Sequence, residues 1–426
     1  MEKKKFNFVE YLKNQKPLFY VGAIATIVCL LVSIILATIG FSLVYRTPHT
    51  IQYVTENSVT FTRVTTPEEE GYGEGELKVC PVEYKHSLKR DGKLHEIILT
   101  VNYTYEEWES LGEETKIQGY IAFEQGTTDY FAVENKDSDT VRDALRDMRA
   151  QSYQVLFEIS MALAMFAIGL GLAVFFHKQF TLYEKLWFLS ILTLAGLFSI
   201  LFPEESANGV NGLVIMLLYL LDTLFNILCE LLISKQSRWN FIVSVLVEIT
   251  EILICIVLAY RFATMVTTLF FWLPIDIISF INWSKKPDKE NEEVTRVRCL
   301  KGWQEILIYV GIAVWTIVVG YFLSGLDIAT DLFGGNEVLE NVVCYIDACA
   351  SAVGIFNGLA ILFRFREQWI AWYICSILEA VINILAGQYV LLVLKVGYLT
   401  NTTYGYIKWS KYIKEHPEAC EEKTFF

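Results

Sequence analysis

Five side chains suited to holding a polar solute follow one another at helical spacing. Trp369, Trp372, Ser376, Glu379 and Asn383 are separated by 3, 4, 3 and 4 residues, which places them on one face of a helix. A second stretch does the same with Asn240, Ser244, Glu248, Glu251 and Cys255, at 4, 4, 3 and 4. Two more carry Asp222, Asn226 and Glu230, and then Asp347, Ser351 and Gly354 with Asn357 at the edge. All four stripes lie inside apolar runs. An ionisable group in hydrocarbon costs at least about 2.5 kcal/mol, so these groups must face protein or water. Four converging stripes make a polar path or site between helices. Glu379 and Lys395 stand eight residues to either side of Gly387. At 1.5 Å per residue both sit about 12 Å from that turn, where an ion pair is expected. The pair reads equally as a clasp of the hairpin and as a gate or solute contact. Trp372, one turn deeper than Trp369, packs in the plain reading and stacks on a flat ring in the sharper one.

The elements that must position these residues are ten apolar spans, at about 18–44, 152–176, 185–203, 210–233, 240–259, 262–282, 304–325, 341–363, 369–386 and 388–407. Each is long enough to cross ~30 Å of hydrocarbon. The 426 residues are 54% hydrophobic and only 19% charged, with a mean hydropathy of +0.39. This excludes a soluble globular domain, a disordered chain and a secreted disulfide scaffold. A net charge of −13 excludes a nucleic-acid binder. Most of the nine cysteines sit in apolar runs as small core residues, without CxxC spacing, and none of the five histidines lies in a span. No metal or cofactor is therefore expected. Lys3, Lys4, Lys5, Lys13, Lys16, Lys178, Lys185, Lys235, Arg238, Lys285, Lys286, Arg296, Arg298, Arg364, Arg366, Lys408 and Lys411 fall on one side of the spans. The short loops of the other side hold Arg261 with Glu204, Glu205, Asp327, Asp331, Glu337 and Glu340. The positive-inside rule then makes both termini cytoplasmic, in a multi-pass protein of the plasma membrane. Trp283, Trp409 and Tyr406 fall at the cytoplasmic ends and read as anchors of an interfacial belt; Trp369 lies there too.

The last seven spans repeat themselves. Ile281-Asn282-Trp283-Ser284-Lys285 returns as Ile407-Lys408-Trp409-Ser410-Lys411, Trp239 matches Trp369, and Asn226 matches Asn357, at offsets of 126, 130 and 131. Three spans, one linking span and three spans give parallel repeats related by an axis along the membrane normal. Between the first two spans, residues 46–150 alternate apolar and polar positions in Ser58–Val64, Leu77–Tyr84, Glu96–Tyr103 and Ile117–Phe123. Gly71-Tyr72-Gly73, Asp91-Gly92 and Gly126 supply the turns, so four to six short strands are expected, followed by a helix over 138–150. With 21 acidic and 12 basic residues this segment is net −9, and Cys80 is its one cysteine, so no internal disulfide can hold it. A docking or regulatory role and a purely structural insertion are both open for it. The chain thus divides into a tail and first span (1–45), an extracellular β-rich domain (46–150), a second span (151–178), a core (179–415) and a cytoplasmic tail (416–426). The core holds repeat 1 at about 210–286, a linking helix at 304–325 and repeat 2 at 341–412. The class is all-α and polytopic, with one small β-rich insertion.

Residues ~185–412 resemble the PnuC family of bacterial vitamin transporters. The resemblance rests on Leu273-Pro274 through Asn282-Trp283-Ser284-Lys285 and on Val297-Arg298-Cys299-Leu300. It continues through Tyr345-Ile346-Asp347-Ala348 and Arg364-Phe365-Arg366-Glu367-Gln368-Trp369-Ile370-Ala371-Trp372. It implies a 3+1+3 fold like that of the sugar-transporting SWEET proteins and facilitated uptake of a vitamin or nucleoside-like solute, nicotinamide riboside first. Thiamin, riboflavin and deoxynucleosides, carried by relatives, are the alternatives. A cytoplasmic kinase acting downstream would trap the cargo by phosphorylation, and a homo-oligomer is open. Carried over by position, Trp369, Trp372, Asn357 and Asp347 become substrate-site candidates. Ser376 stands where the family pattern has an Asn. With Glu379, Lys395, Asn226 and Glu248 from the stripes, these make the candidate site. A second reading, from another class, is a membrane sensor whose outer domain binds a ligand or protein. A membrane enzyme ranks third, since no catalytic motif is recognisable. No GxxxxGK[ST] loop is present, which argues against direct drive by ATP, while the carboxylates leave proton or sodium coupling open.

Overall fold

The computed structural model describes residues 17–66, 80–90, 92–112, 115–127, 129–204, 206, 210–258, 262–285, 297–325 and 337–416. The expected turns at Gly71-Tyr72-Gly73 and Asp91, the start of the Leu77 strand, the N-terminal lysines, Lys286, Arg296, Arg261, Glu205, Asp327, Asp331 and the C-terminal tail lie outside these. Contacts divide the chain into two compact units, Leu36–Phe157 and Met1–Ile35 with Glu158–Phe426.

Unit Leu36–Phe157 is built on an antiparallel sheet of six strands: β1 (Ile51–Tyr53), β2 (Val59–Arg63), β3 (Cys80–Arg90), β4 (Lys93–Tyr103), β5 (Lys116–Glu124) and β6 (Tyr130–Val133). The order is β1-β5-β2-β3-β4, with β6 also on β5. β3 and β4 form a hairpin in register from Cys80↔Tyr103 to Arg90↔Lys93, and Gly92 takes the positive φ (77°) of its tight turn. Alternate residues turn inward, so Phe61, Val82, Tyr84, Ile97, Leu99 and Ile121 bury together. A short helix inserted after β4 spans Tyr105–Glu109, capped reciprocally by Thr104 and Glu107. β1, β6 and this helix have no counterpart in the sequence reading, being three to five residues long. The helix Ser138–Ser152, N-capped by Asp137, packs Val141 and Leu145 against Ala122, Phe131 and Val133. At its end Arg149 grips the buried Glu124 with both oxygens in reach, at 2.9 and 2.8 Å, and Arg46 adds a third bond at 2.9 Å.

The helices are α1 (Pro17–Tyr45), α2 (Tyr105–Glu109), α3 (Ser138–Ser152), α4 (Gln154–Phe175), α5 (Leu182–Leu201), α6 (Gly212–Ser234), α7 (Asn240–Leu258), α8 (Phe262–Thr267), α9 (Leu273–Lys285), α10 (Gly302–Ser324), α11 (Glu337–Leu362), α12 (Gln368–Leu385) and α13 (Tyr389–Glu415). One turn of π-helix, Thr268–Trp272, joins α8 to α9. Among the described residues nine segments are long and apolar enough to cross a membrane, so the chain is a multi-pass membrane protein. Ten were expected, and the tenth falls on α13. That helix has the length, at 27 residues, but Lys395, Thr400, Asn401, Thr402 and Thr403 make it too polar to stand with the nine. Lys395, Asn401 and Thr402 are buried and turn into the bundle, whereas Thr400 and Thr403 are exposed.

Core packing of the second unit centres on α5, α6 and α13, through Phe188, Ile191, Tyr219, Leu220, Leu394 and Tyr398. The expected tryptophan belt is overturned. Trp283 and Trp409 are 1% and 0% exposed and lie 6.2 Å apart, with Trp369 edge-on to Trp409 at 5.7 Å. Trp283 donates from Nε1 to the Ile361 carbonyl at 2.9 Å. The three indoles form a buried cluster between α9, α12 and α13. Sequence position at a helix end does not say which way the ring points, and here all three point inward.

Candidate substrate site

The polar faces of α6, α7, α9, α12 and α13, together with the π-turn, line a cavity. Its lining holds Asp222, Glu230, Glu248, Glu251, Asp276 and Glu379. Against these six carboxylates stands one cation among the described lining residues, Lys395. Lys395 donates to Glu379, forming the ion pair that equal depth required, and its ammonium also lies 4.9 Å from the centre of the Tyr398 ring. Tyr398 donates to Asn226 Oδ1, and Asn226 Nδ2 bonds back to the Asp222 carbonyl at 3.0 Å.

Most of the acids are held by a specific donor from a neighbouring element. Thr250 donates to Asp222 Oδ1 at 2.9 Å, Asn401 to Glu230 Oε2 at 2.9 Å, and Thr268 to Glu251 Oε2 at 3.2 Å. These bonds tie α6 to α7 and α13, and α7 to the π-turn. One wall is aromatic. Trp272 and Trp372 meet edge-to-face at 6.3 Å, and Trp372 and Tyr398 lie 5.3 Å apart. Trp272 reaches the cavity because the π-turn adds a residue to one turn of the helix and re-aims its side chain, a device common at functional sites.

Of the nine residues expected at the site, Trp372, Glu379, Asn226, Glu248 and Lys395 line this cavity. Four do not. Trp369 is 2% exposed and fills the tryptophan cluster, approaching Gly405 so closely that a Cβ there would sit 2.4 Å from its ring. Ser376 turns back on its own helix, donating to the Trp372 carbonyl at 2.7 Å. Asp347 accepts from Ala263 N at 3.1 Å and from Thr264 Oγ1 at 2.5 Å, and so fastens the start of α8 to α11. Asn357 is buried outside the lining. Asp276 and Trp272 are the residues that sequence reading missed. Asp276 is alone on its span and makes no stripe, and the π-turn breaks the periodicity that would have aligned Trp272 with the rest.

The quoted motif residues have largely structural work. Arg298 N donates to the Arg364 carbonyl at 2.8 Å and Arg366 N to the Arg298 carbonyl at 2.9 Å. Glu367 accepts from Leu300 N at 3.0 Å. The segment before α10 is thereby bound to the turn that enters α12.

Residues 216–411, which carry all of this lining, match the family described as nicotinamide mononucleotide transporter. The chain is also 24% identical over 249 residues to the nicotinamide riboside transporter PnuC of Neisseria mucosa, covering 55% of this chain and 84% of that protein. To the transporter of the same name from Haemophilus influenzae it is 24% identical over 200 residues, 46% of this chain and 80% of the relative. A solved structure, of the vitamin B3 transporter PnuC, aligns with 22% identity and a TM-score of 0.44, covering 56% of this chain and 94% of that one. α1, the six-stranded sheet, α4 and α5 lie outside the family match.

Proposed function

We propose that this chain is a membrane carrier of nicotinamide riboside. The observation that carries this reading is a cavity with six carboxylates, one lysine and an aromatic wall. The riboside's pyridinium ring is flat and positively charged. Its charge complements the acids, whose desolvation would otherwise be uncompensated. Its face suits Trp372 and Trp272. The ribose hydroxyls suit the amides and hydroxyls of Asn226, Asn240 and Thr267. The relatives' names support the riboside, while the family description names the mononucleotide. The cavity favours the former, because a phosphate dianion would meet carboxylates with a single, already paired, lysine.

In this reading α6–α9 and α11–α13 act as the two parallel repeats with α10 as the link. The element order and the recurring Trp-Ser-Lys ends of α9 and α13 support that arrangement. Both termini face the cytoplasm, as the basic residues indicate, and the sheet of unit Leu36–Phe157 faces outside. The chain does no chemistry on its cargo, which a cytoplasmic kinase then phosphorylates. Thermal melting of the purified protein tests cargo choice. Nicotinamide riboside should raise the midpoint in proportion to the logarithm of its concentration once above Kd, thiamin and riboflavin less, and nicotinamide mononucleotide not at all. A mononucleotide shift equal to that of the riboside would contradict the reading.

A further inference from the structure

One end of the cavity is floored by matched residues. Ile233, at the end of α6, and Asn240 and Phe241, at the start of α7, line it together with Ile361, at the end of α11. Ile233 matches Ile361, Gln236 matches Arg364, Asn240 matches Gln368 and Phe241 matches Trp369, each at an offset of 128. The two turns fold alike. Gln236 and Arg364 both take a positive φ, 57° and 64°, and donate from N to the Ile233 and Ile361 carbonyls at 2.8 and 3.0 Å. Behind this floor stand two ring pairs. Phe241 meets Trp283 edge-to-face at 5.1 Å, Trp369 meets Trp409 edge-to-face at 5.7 Å, and Trp283 lies 6.2 Å from Trp409. All four rings are buried, so they plug that end of the cavity.

The likeness of the two halves stops at the hydrogen bonds. The end of α9 is fastened to the end of α11: Trp283 Nε1 donates to the Ile361 carbonyl at 2.9 Å and Asn282 Nδ2 to the Leu362 carbonyl at 2.6 Å. The end of α13 carries the same Trp-Ser-Lys sequence, yet Trp409 Nε1 has no hydrogen-bond partner among the described residues. Trp369 Nε1 and both polar atoms of the Gln368 amide are likewise unpartnered there. Buried polar groups without partners penalise the state that holds them, and water entering between the helices would satisfy them. Ring contacts and two hydrogen bonds thus hold the plug shut against a standing cost.

We propose that Phe241, Trp283, Trp369 and Trp409 form the gate at this end of the cavity, and that Asn282 and Trp283 latch it shut on the end of α11. Opening breaks the two latch hydrogen bonds and parts Trp283 from Trp409, while the edge-to-face pair within each repeat moves as a body. No covalent bond changes and no second ion moves, so the gate serves downhill passage in either direction. The inference rests on the carrier reading with its parallel repeats, and goes beyond it in naming the contact that parts.

The test uses the full-length protein in proteoliposomes. Lys285→Cys with Lys411→Cys places thiols two residues beyond Trp283 and Trp409, at exposed positions. Joining them with a reducible bifunctional thiol reagent should abolish uptake of nicotinamide riboside, and a reductant should restore it. Spin labels on the same two thiols, with the parent protein as background control, should show a second separation several ångströms longer than the closed one. Asn282→Ala and Trp283→Phe each delete one latch hydrogen bond. Each should raise the ratio of the long to the short separation by about 2- to 12-fold. Undiminished uptake with the ends joined, or a separation that neither substitution shifts, would overturn the gate and leave the carrier reading standing. A protein that moves no riboside before the ends are joined would overturn the carrier reading and the gate with it. Should either latch variant fail to fold, the cross-linked protein, whose interior is unaltered, still decides the matter.

Discussion

Trp372 and Trp369 stand three residues apart on one helix, yet their surroundings give them different work. Trp372 lines the cavity beside Trp272 and Tyr398, whereas Trp369 is sealed against Trp409 and Gly405. Stacking of a flat ring on an aromatic side chain is worth roughly 1–3 kcal/mol. Trp372→Ala should therefore raise the KM for nicotinamide riboside by about tenfold or more with little change in melting temperature, and Trp372→Phe should restore much of it. Trp369→Ala should instead open a core cavity and destabilise the protein by about 3–5 kcal/mol, seen as a large fall in the melting midpoint. The Glu379–Lys395 pair separates structure from transport in another way. Exchanging the two, Glu379→Lys with Lys395→Glu, keeps an ion pair between α12 and α13. It also places a carboxylate over the Tyr398 ring, where the ammonium now sits. Normal expression with uptake lost is the expected result of a transport assay, and unimpaired uptake would reduce the pair to a clasp.

At the scale of elements, the π-turn is held in place by the face of α11. A Cβ at Gly358 would meet Phe271 at 2.5 Å and Trp272 at 3.3 Å, while one at Gly354 would stand 3.8 Å from Trp272, an ordinary contact. Gly358→Ala should push the π-turn away, raise KM and lower the melting midpoint. Gly354→Ala should leave the midpoint unchanged or higher, since alanine is the better helix former by about 1 kcal/mol. In the other unit the sheet and α3 are joined through Glu124. Burial pushes its carboxyl up, but the bonds from Arg149 and His49 N and the charges of Arg149 and Arg46 outweigh this and hold it at about 2, below its ordinary 4.5. A carboxylate depressed on folding stabilises fully above its unfolded value and loses that effect as pH falls through the folded one. Glu124→Gln should lower the melting midpoint at neutral pH, because removing one partner of a buried pair costs about 3–5 kcal/mol. The gap between variant and parent should close as pH falls from about 4.5 to about 2.

For the whole molecule, what could be read from sequence was whatever imposes a period. Helix length against bilayer thickness fixed the spans to within a few residues, and the 3-and-4 spacing of Asp222, Asn226, Glu230, Glu248, Glu251 and Glu379 placed them on faces that meet at one cavity. Alternation found β2, β3, β4 and β5 but missed β1 and β6, which are too short to show a period. Inward-turned indoles such as Trp283 and Trp409 were misread because amphipathic residues at helix ends suit lipid headgroups and protein interiors equally. Asp276 and Trp272 left no repeating signal at all, and only the folded chain brings them to the others. The central claim is that this acidic, aromatic cavity carries a cationic vitamin across the bilayer. It is tested most directly by uptake of labelled nicotinamide riboside into proteoliposomes of the purified full-length protein. Saturable uptake well above that of protein-free vesicles, greatly weakened by Trp372→Ala, is the predicted result; uptake no faster than through protein-free vesicles would contradict it.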